Sequence, residues 1–214
     1  MTDQIYRLAA SRFRLTELNM GEFSRIRSRG MVFDIRTYDA EKAGRLCLME
    51  MKAFAGLMKM DTAVFSPTEL DGPLFSLDMI SAFGTCTLVL ELYDTTISHP
   101  DFGRLRAVKE KYARLPGYDP GSHWSNSIRL PVSDYKKGKK LRADMEAMLE
   151  DYARMYFELL EECGACSPTE KKAANAVFAD GLLTKGGPAV NQFKKMIGED
   201  KTAEFIRKYM FCCV

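Results

Sequence analysis

Between Met31 and Tyr93 hydrophobic and polar positions alternate in five runs, MVFDIRTY, RLCLMEMKAF, LMKMDTAVF, PLFSLDMIS and TCTLVLELY. A period of two sends successive side chains to opposite sides of an extended backbone, so each run predicts a strand. The links between them are short and rich in turn residues: Ala55-Gly56, the SPTELDG loop and Phe83-Gly84. Consecutive strands on such links predict an antiparallel meander. Elsewhere the spacing lengthens. Residues 3 to 18 and Arg104 to Leu115 predict helices. From Lys140 to Cys163, Leu141, Met145, Met148, Tyr152, Met155, Leu159 and Cys163 recur at steps of three and four, forming one apolar stripe. Shorter helices are predicted at about 169–183, 188–197 and 200–210. The segment LPGYDPGSHW reads as a loop, SNSIRLPV as a further strand, and KKGKK as a basic stretch before the helical part. Strands followed by helices, with helical segments before and between them, predict an α/β (α+β) fold in which helices cover both faces of a central antiparallel sheet. No internal repeat or long linker divides the chain, so residues 1–214 are read as one domain.

Three of the strands carry a carboxylate where hydrocarbon would be expected: Glu50, Asp61 and Asp78. In a symmetric hairpin, directly opposed residues have a constant sum of residue numbers. A turn centred on Ala55-Gly56 sets Glu50 opposite Asp61, and one centred between Glu69 and Leu70 sets Asp61 opposite Asp78. All three acids are then expected in one row on one face. The face of Asp78 also carries Leu74, Ser76 and Ile80, which is not a water-facing composition. A carboxyl group among apolar walls, close to other carboxylates, gains proton affinity and can act as a proton donor at neutral pH. The alternative is a set of surface acids on a half-exposed sheet. The two histidines, His99 and His123, fall in loops, and no Gly-rich phosphate loop follows a strand.

Composition narrows the classes. The net charge of +2 is too small to argue for a nucleic-acid partner. No apolar run approaches the roughly 18 residues needed to span a bilayer, and no membrane partner is expected. The amphipathic N-terminus lacks the apolar stretch of a signal peptide, so a cytoplasmic protein is expected. Among six cysteines, Cys163 and Cys166 form a lone C-x-x-C at a helix end, and Cys212-Cys213 are adjacent. Neither has a second half with metal-site spacing, and no metal site is expected.

The strand–loop–strand MDTAVFSPTELDGPLFSLDMI resembles the ferredoxin-dependent bilin reductases, the family that makes phycobilins and phytochromobilin from biliverdin. It is similar to that family's strand ending in Phe-Pro, loop, and Leu-Pro-Leu/Ile-Phe-Gly-x-Asp. The segment GGPAVNQFKKMIGEDKTAEFIRKYMF resembles the family's C-terminal helices, and the strand at residues 31 to 38 and SIRLP fit in order. The resemblance implies a three-layer α/β/α sandwich that holds a linear tetrapyrrole between sheet and C-terminal helices. It implies stepwise one-electron, radical reduction with no bound cofactor, reduced ferredoxin being the external donor. It gives Asp78 the place of the central aspartate, Asp61 that of an acid or histidine, and Glu50 that of the preceding strand's glutamate with one residue of slack. Asp78 and Asp61 are therefore expected as proton donors, with Glu50 in support.

Three positions depart from the family pattern: Ser76 replaces a glycine, Gly187 stands where an aspartate proton donor is usual, and Asp61 stands in place of histidine. Arg114 and Arg129 are candidate anchors for the substrate's propionates. Lys136, Lys137, Lys139 and Lys140, with Lys194 and Lys195, are candidates for docking an acidic ferredoxin, solvated lysines being the alternative. A monomer is expected. The rival reading is a non-catalytic tetrapyrrole-binding protein that keeps the fold.

Overall fold

The computed structural model describes residues 1–28 and 30–213. The five alternating runs form strands β3 (Met31–Ala40), β4 (Gly44–Ala53), β5 (Met58–Pro67), β6 (Leu74–Ala82) and β7 (Thr85–Tyr93). Three short strands that the pattern does not predict join them: β1 (Leu15–Glu17), β2 (Arg25–Ser28) and β8 (Asp134–Lys139). The eight described strands make one antiparallel sheet in the order β1-β3-β4-β5-β6-β7-β8, with β2 pairing beside β1 on the edge of β3. Helices α1 (Thr2–Ala10), α2 (Leu105–Lys111), α3 (Arg142–Glu162), α4 (Pro168–Lys185), α5 (Pro188–Ile197) and α6 (Glu199–Glu204) complete the fold, a π-helical turn (Phe205–Met210) extending α6.

Three expectations are corrected. The first helix stops at Ala10, because Leu15–Glu17 pairs with Tyr38–Ala40 and the chain must turn to reach that edge. The segment SNSIRLPV is not a strand: Trp124–Ser127 is a 3₁₀ turn, and the segment's backbone pairs with the sheet only through an isolated bridge between Arg129 and Tyr93, among the described residues. The edge strand is instead the basic stretch, since Asp134–Lys139 pairs with Thr85–Leu90. Its lysines can occupy a sheet edge because one side of such a strand faces water.

Helices α1, α2 and α3 pack on one face of the sheet. There Leu46, Leu48, Ala63, Phe65, Leu77, Leu88 and Leu90 meet Met145, Leu149, Tyr152 and Tyr156. Helices α4 to α6 and the π-helical turn pack on the other, where Phe33, Ile35, Met49, Met51 and Val64 meet Phe178, Phe193, Phe205 and Ile206. Coverage of this second face is incomplete. Strands β6 and β7 alternate between fully buried positions toward α1–α3 and half-buried ones on the opposite side. A trough therefore lies over β6, β7 and β8 on the face that α4–α6 share. Among the described residues, no helix is long and apolar enough to cross a membrane.

Candidate functional site

The expected row of three acids does not form. Glu50 does face Asp61, but Asp61 faces Met79, and Asp78 faces Thr62. The register is one residue away from the symmetric one, which sends Asp61 and Asp78 to opposite faces. The cause lies in the SPTELDG loop. The amides of Thr68 and Glu69 both donate to the carbonyl of Ala43, Leu70 bridges Ala165, and the amide of Asp71 donates to the carbonyl of Gly164. The buried Asp71 carboxylate accepts from the amides of Ile97 and Ser98, both at 2.7 Å. These distant anchors draw the loop out of hairpin symmetry.

Asp78 lies in the trough. Its neighbours on the same face are Ser76 and Ile80 along β6, Thr62 on β5, and Val89 with Glu91 on β7. The Thr62 hydroxyl donates to its carboxylate. Burial raises the Asp78 carboxyl to about 6; the Thr62 hydrogen bond opposes that rise and the charge of Glu91 adds to it. At neutral pH about a tenth of the molecules hold this proton, far more than for an ordinary aspartate, so the group can be recharged and donate near pH 7.

Glu91 gathers a polar network beside Asp78. It accepts the Tyr93 hydroxyl at 2.6 Å and the Tyr135 hydroxyl at 2.5 Å, and an Arg129 guanidinium nitrogen lies 3.9 Å away. That nitrogen, Nη1, is buried without a hydrogen-bond partner among the described residues, and the guanidinium sits 5.2 Å from the Tyr135 ring. Burial, reinforced by Glu91, holds both phenols well above the usual tyrosine range. Tyr118 packs edge-on against Tyr135 at 5.8 Å, and its phenol is raised by burial and by the charges of Glu91 and Asp78.

The loop carrying Tyr118 closes one side of the trough. Gly117 bridges Lys136 beyond the sheet edge, and the chain then crosses to α4. There Trp124 packs on Phe178 and donates to the carbonyl of Gly186 at 3.1 Å. The arrangement offers one acid of raised proton affinity, a neighbouring carboxylate bonded to two phenols, and a guanidinium nitrogen with bonding capacity to spare.

Glu50 and Asp61 belong to an ionic cluster on the other face. The Thr2 hydroxyl donates to Glu50 at 2.6 Å, and Arg36 lies 3.6 Å from the same carboxylate. The N-terminal ammonium and Arg142 lie 3.9 and 3.6 Å from Asp61. Burial raises the Asp61 carboxyl, with the two cations opposing and Glu50 adding. These acids tie α1 and α3 to the sheet and are separated from Asp78 by its thickness.

Of the two arginines, Arg129 reaches the trough, whereas Arg114 is exposed on the α2–α3 side, 3.5 Å from Asp144. The lysines also divide. Lys136 is buried toward α3, 3.1 Å from Asp134, because alternation along β8 turns it inward. Lys137 stands over the Tyr118 ring on the trough side, and Lys139 and Lys140 are exposed at the strand end. Lys194 donates to the carbonyl of Leu183, and Lys195 is exposed. Gly187 is the residue before α5, so no side chain projects there. Among the described residues no group of His, Cys, Asp or Glu is arranged to hold a metal ion. A cavity of about 660 Å³ lies at the far end of the sheet, between Arg14, Asp39, Arg45, Glu69 and Lys172, and includes none of the trough residues.

Sequence reasoning missed Glu91, Thr62, Tyr118 and Tyr135. Glu91 carried the same signal as Asp78, a carboxylate among leucines in TLVLELY. Tyr135 was hidden because its strand read as a basic stretch.

No protein-family model and no curated protein matches this chain. Its fold is similar to a crystal structure of selenomethionine-labelled phytochromobilin synthase from tomato in complex with biliverdin. The two align with a TM-score of 0.79 and 15 % sequence identity, over 100 % of this chain and 84 % of that one. At that identity the likeness is one of fold.

Proposed function

We propose that this chain is an oxidoreductase of the bilin reductase type, a single domain built as a three-layer α/β/α sandwich that binds a linear tetrapyrrole in the trough. The observation that carries the reading is Asp78, an acid raised to about 6 on the sheet face shared with α4–α6. The fold it shares with a synthase that binds biliverdin supports the same reading. Electrons come one at a time from an external carrier of ferredoxin type, and the conjugated substrate accepts them directly. Each added electron makes the tetrapyrrole more basic, and the Asp78 carboxyl group transfers its proton to it. The carboxylate left beside Glu91 is reprotonated from water at the open side of the trough. The Arg129 nitrogen without a partner takes a substrate carboxylate, which suits a propionate. Exposed Lys137, on the trough side of β8, helps to steer an acidic carrier to that edge.

A second reading, a tetrapyrrole-binding protein without turnover, is favoured by one observation. The row across β4, β5 and β6 on the trough face is Met49, Thr62 and Asp78, with a single acid, and Gly187 adds none from the helix side. Anaerobic absorption spectra with biliverdin, recorded before and after a reduced-ferredoxin system is supplied, separate the two. A shift on binding followed by loss of the biliverdin band on reduction is expected. A shift on binding alone supports the second reading, and no shift overturns both.

A further inference from the structure

Two neighbouring hairpin tips expose large apolar side chains at the same end of the sheet. Phe54 and Leu57 in the β4–β5 turn are 64 % and 63 % exposed, and Phe83 in the β6–β7 turn is 73 % exposed. The Phe54 and Phe83 rings lie 6.5 Å apart, and the Phe83 amide donates to the carbonyl of Leu57, so the tips form one unit. Both phenylalanines have left-handed backbones, φ +50° and +48°. Bulky residues rarely occupy that region, where Gly or Asn would be strain-free. Sequence and backbone therefore hold two rings in water at a cost to folding, and such strain points to a use outside the fold.

Charge surrounds the rings. Lys52 and Lys59 face each other directly across β4 and β5, a like-charge pairing that opposes folding. Lys139 pairs with Thr85 next to the Phe83 turn, and Lys140 follows it. All four lysines are exposed and, among the described residues, none has a carboxylate within 4 Å.

We propose that this end of the sheet docks on an anionic membrane surface, with Phe54, Leu57 and Phe83 entering the interfacial layer and the four lysines meeting lipid headgroups. The tips project from the sheet end and carry only three apolar side chains. A stable protein–protein contact needs about 800 Å² per partner. A bilayer interface asks for less: aromatic residues at headgroup depth and basic residues near anionic lipid suffice together. Each lysine close to such a surface strengthens partitioning about five-fold. Contact of this kind needs no helix that crosses the bilayer, and it leaves the trough free.

The test is co-sedimentation of the full chain with vesicles of phosphatidylcholine, alone or with phosphatidylserine. Binding to the phosphatidylserine vesicles alone is expected, weakening as salt rises. In Lys52→Glu/Lys59→Glu and in Phe54→Asn/Phe83→Asn, it should fall at least about ten-fold. Asparagine tolerates the left-handed backbone, so the second variant should melt at or above wild type. No vesicle binding, equal binding to both compositions, or wild-type binding by Phe54→Asn/Phe83→Asn would overturn the proposal. So would melting of that variant well below wild type, which would make the rings part of the fold. Capture by an immobilised acidic protein through the same residues, with no vesicle binding, would assign the patch to a protein partner instead.

Discussion

Asp78 is the residue on which both chemistry and stability turn. Burial raises its carboxyl from 3.8 to about 6, so the proton is held more tightly in the folded chain than in the unfolded one. Below about pH 4 the group is protonated in both states and contributes nothing. Above about pH 6 the folded chain must carry a buried charge, and stability declines through the interval between by at most about 3 kcal/mol. Asp78→Asn removes that charge while keeping the shape. Thermal melts should therefore find the variant more stable than wild type at pH 7.5 and equal to it at pH 3.5. The same change deletes the proton donor. Bilin binding should persist while turnover drops roughly 10²–10⁴-fold, the range of general-acid catalysis. In the wild type, turnover should fall about ten-fold per pH unit well above pH 6, and a single-turnover pH profile reads this directly. A wild-type rate in Asp78→Asn would show that the proton comes from another group in the trough.

At the scale of elements, the wall of the trough depends on how closely α4 approaches the Trp124 turn. A methyl group built on Gly181 would come within 2.5 Å of two ring atoms of Trp124. Alanine favours a helix over glycine by about 1 kcal/mol, but forcing the indole aside costs about 1–3 kcal/mol and breaks its bond to Gly186. Gly181→Ala is thus expected to destabilise the chain slightly and to shift the emission of its single tryptophan. Unchanged fluorescence would mean that the ring has room to move. The lengths and order of β3–β7 and α3–α5 were legible in the sequence because each is long enough for its period to repeat several times. Strands β1 and β2 span only three and four residues. Strand β8 is too charged for its pattern to register. All three exist because an open sheet edge offers partners for their backbone groups.

For the molecule as a whole, the helices on the trough face are integral to folding. Phe205, Ile206, Tyr209, Met210 and Phe211 are all buried there. The Ser66 hydroxyl on β5 donates to the carbonyl of Phe211 at 2.9 Å, and Arg45 on β4 donates to that of Lys208 at 2.7 Å. At about 1.5–3 kcal/mol for each large apolar side chain, their loss rivals the 5–15 kcal/mol that holds a typical domain together. A chain ending at Glu204 is expected to keep far-ultraviolet dichroism but lose the near-ultraviolet signal and bind anilinonaphthalene sulfonate. A sharp native-like melt would show that the remaining helices cover that face unaided.

The antiparallel meander, the helical C-terminal part, and the presence of carboxylates in strands that should be apolar are all legible along the chain. These are local properties, written in periodicity over eight to ten residues and in side-chain chemistry. The Glu50–Asp61 pairing is legible too, because the β4–β5 turn is tight and nearly symmetric. That Asp78 stands apart from that pair follows from long-range contacts instead. The register of β6 against β5 is set by a loop whose anchors, Ala43, Gly164 and the 97–98 amides, are remote in sequence. A shift of one residue there changes the face of every side chain that follows on the strand. The neighbours of Asp78, Glu91 on β7 and Tyr135 on β8, likewise meet only when the sheet is assembled, since cross-strand contacts depend on register and not on spacing along the chain.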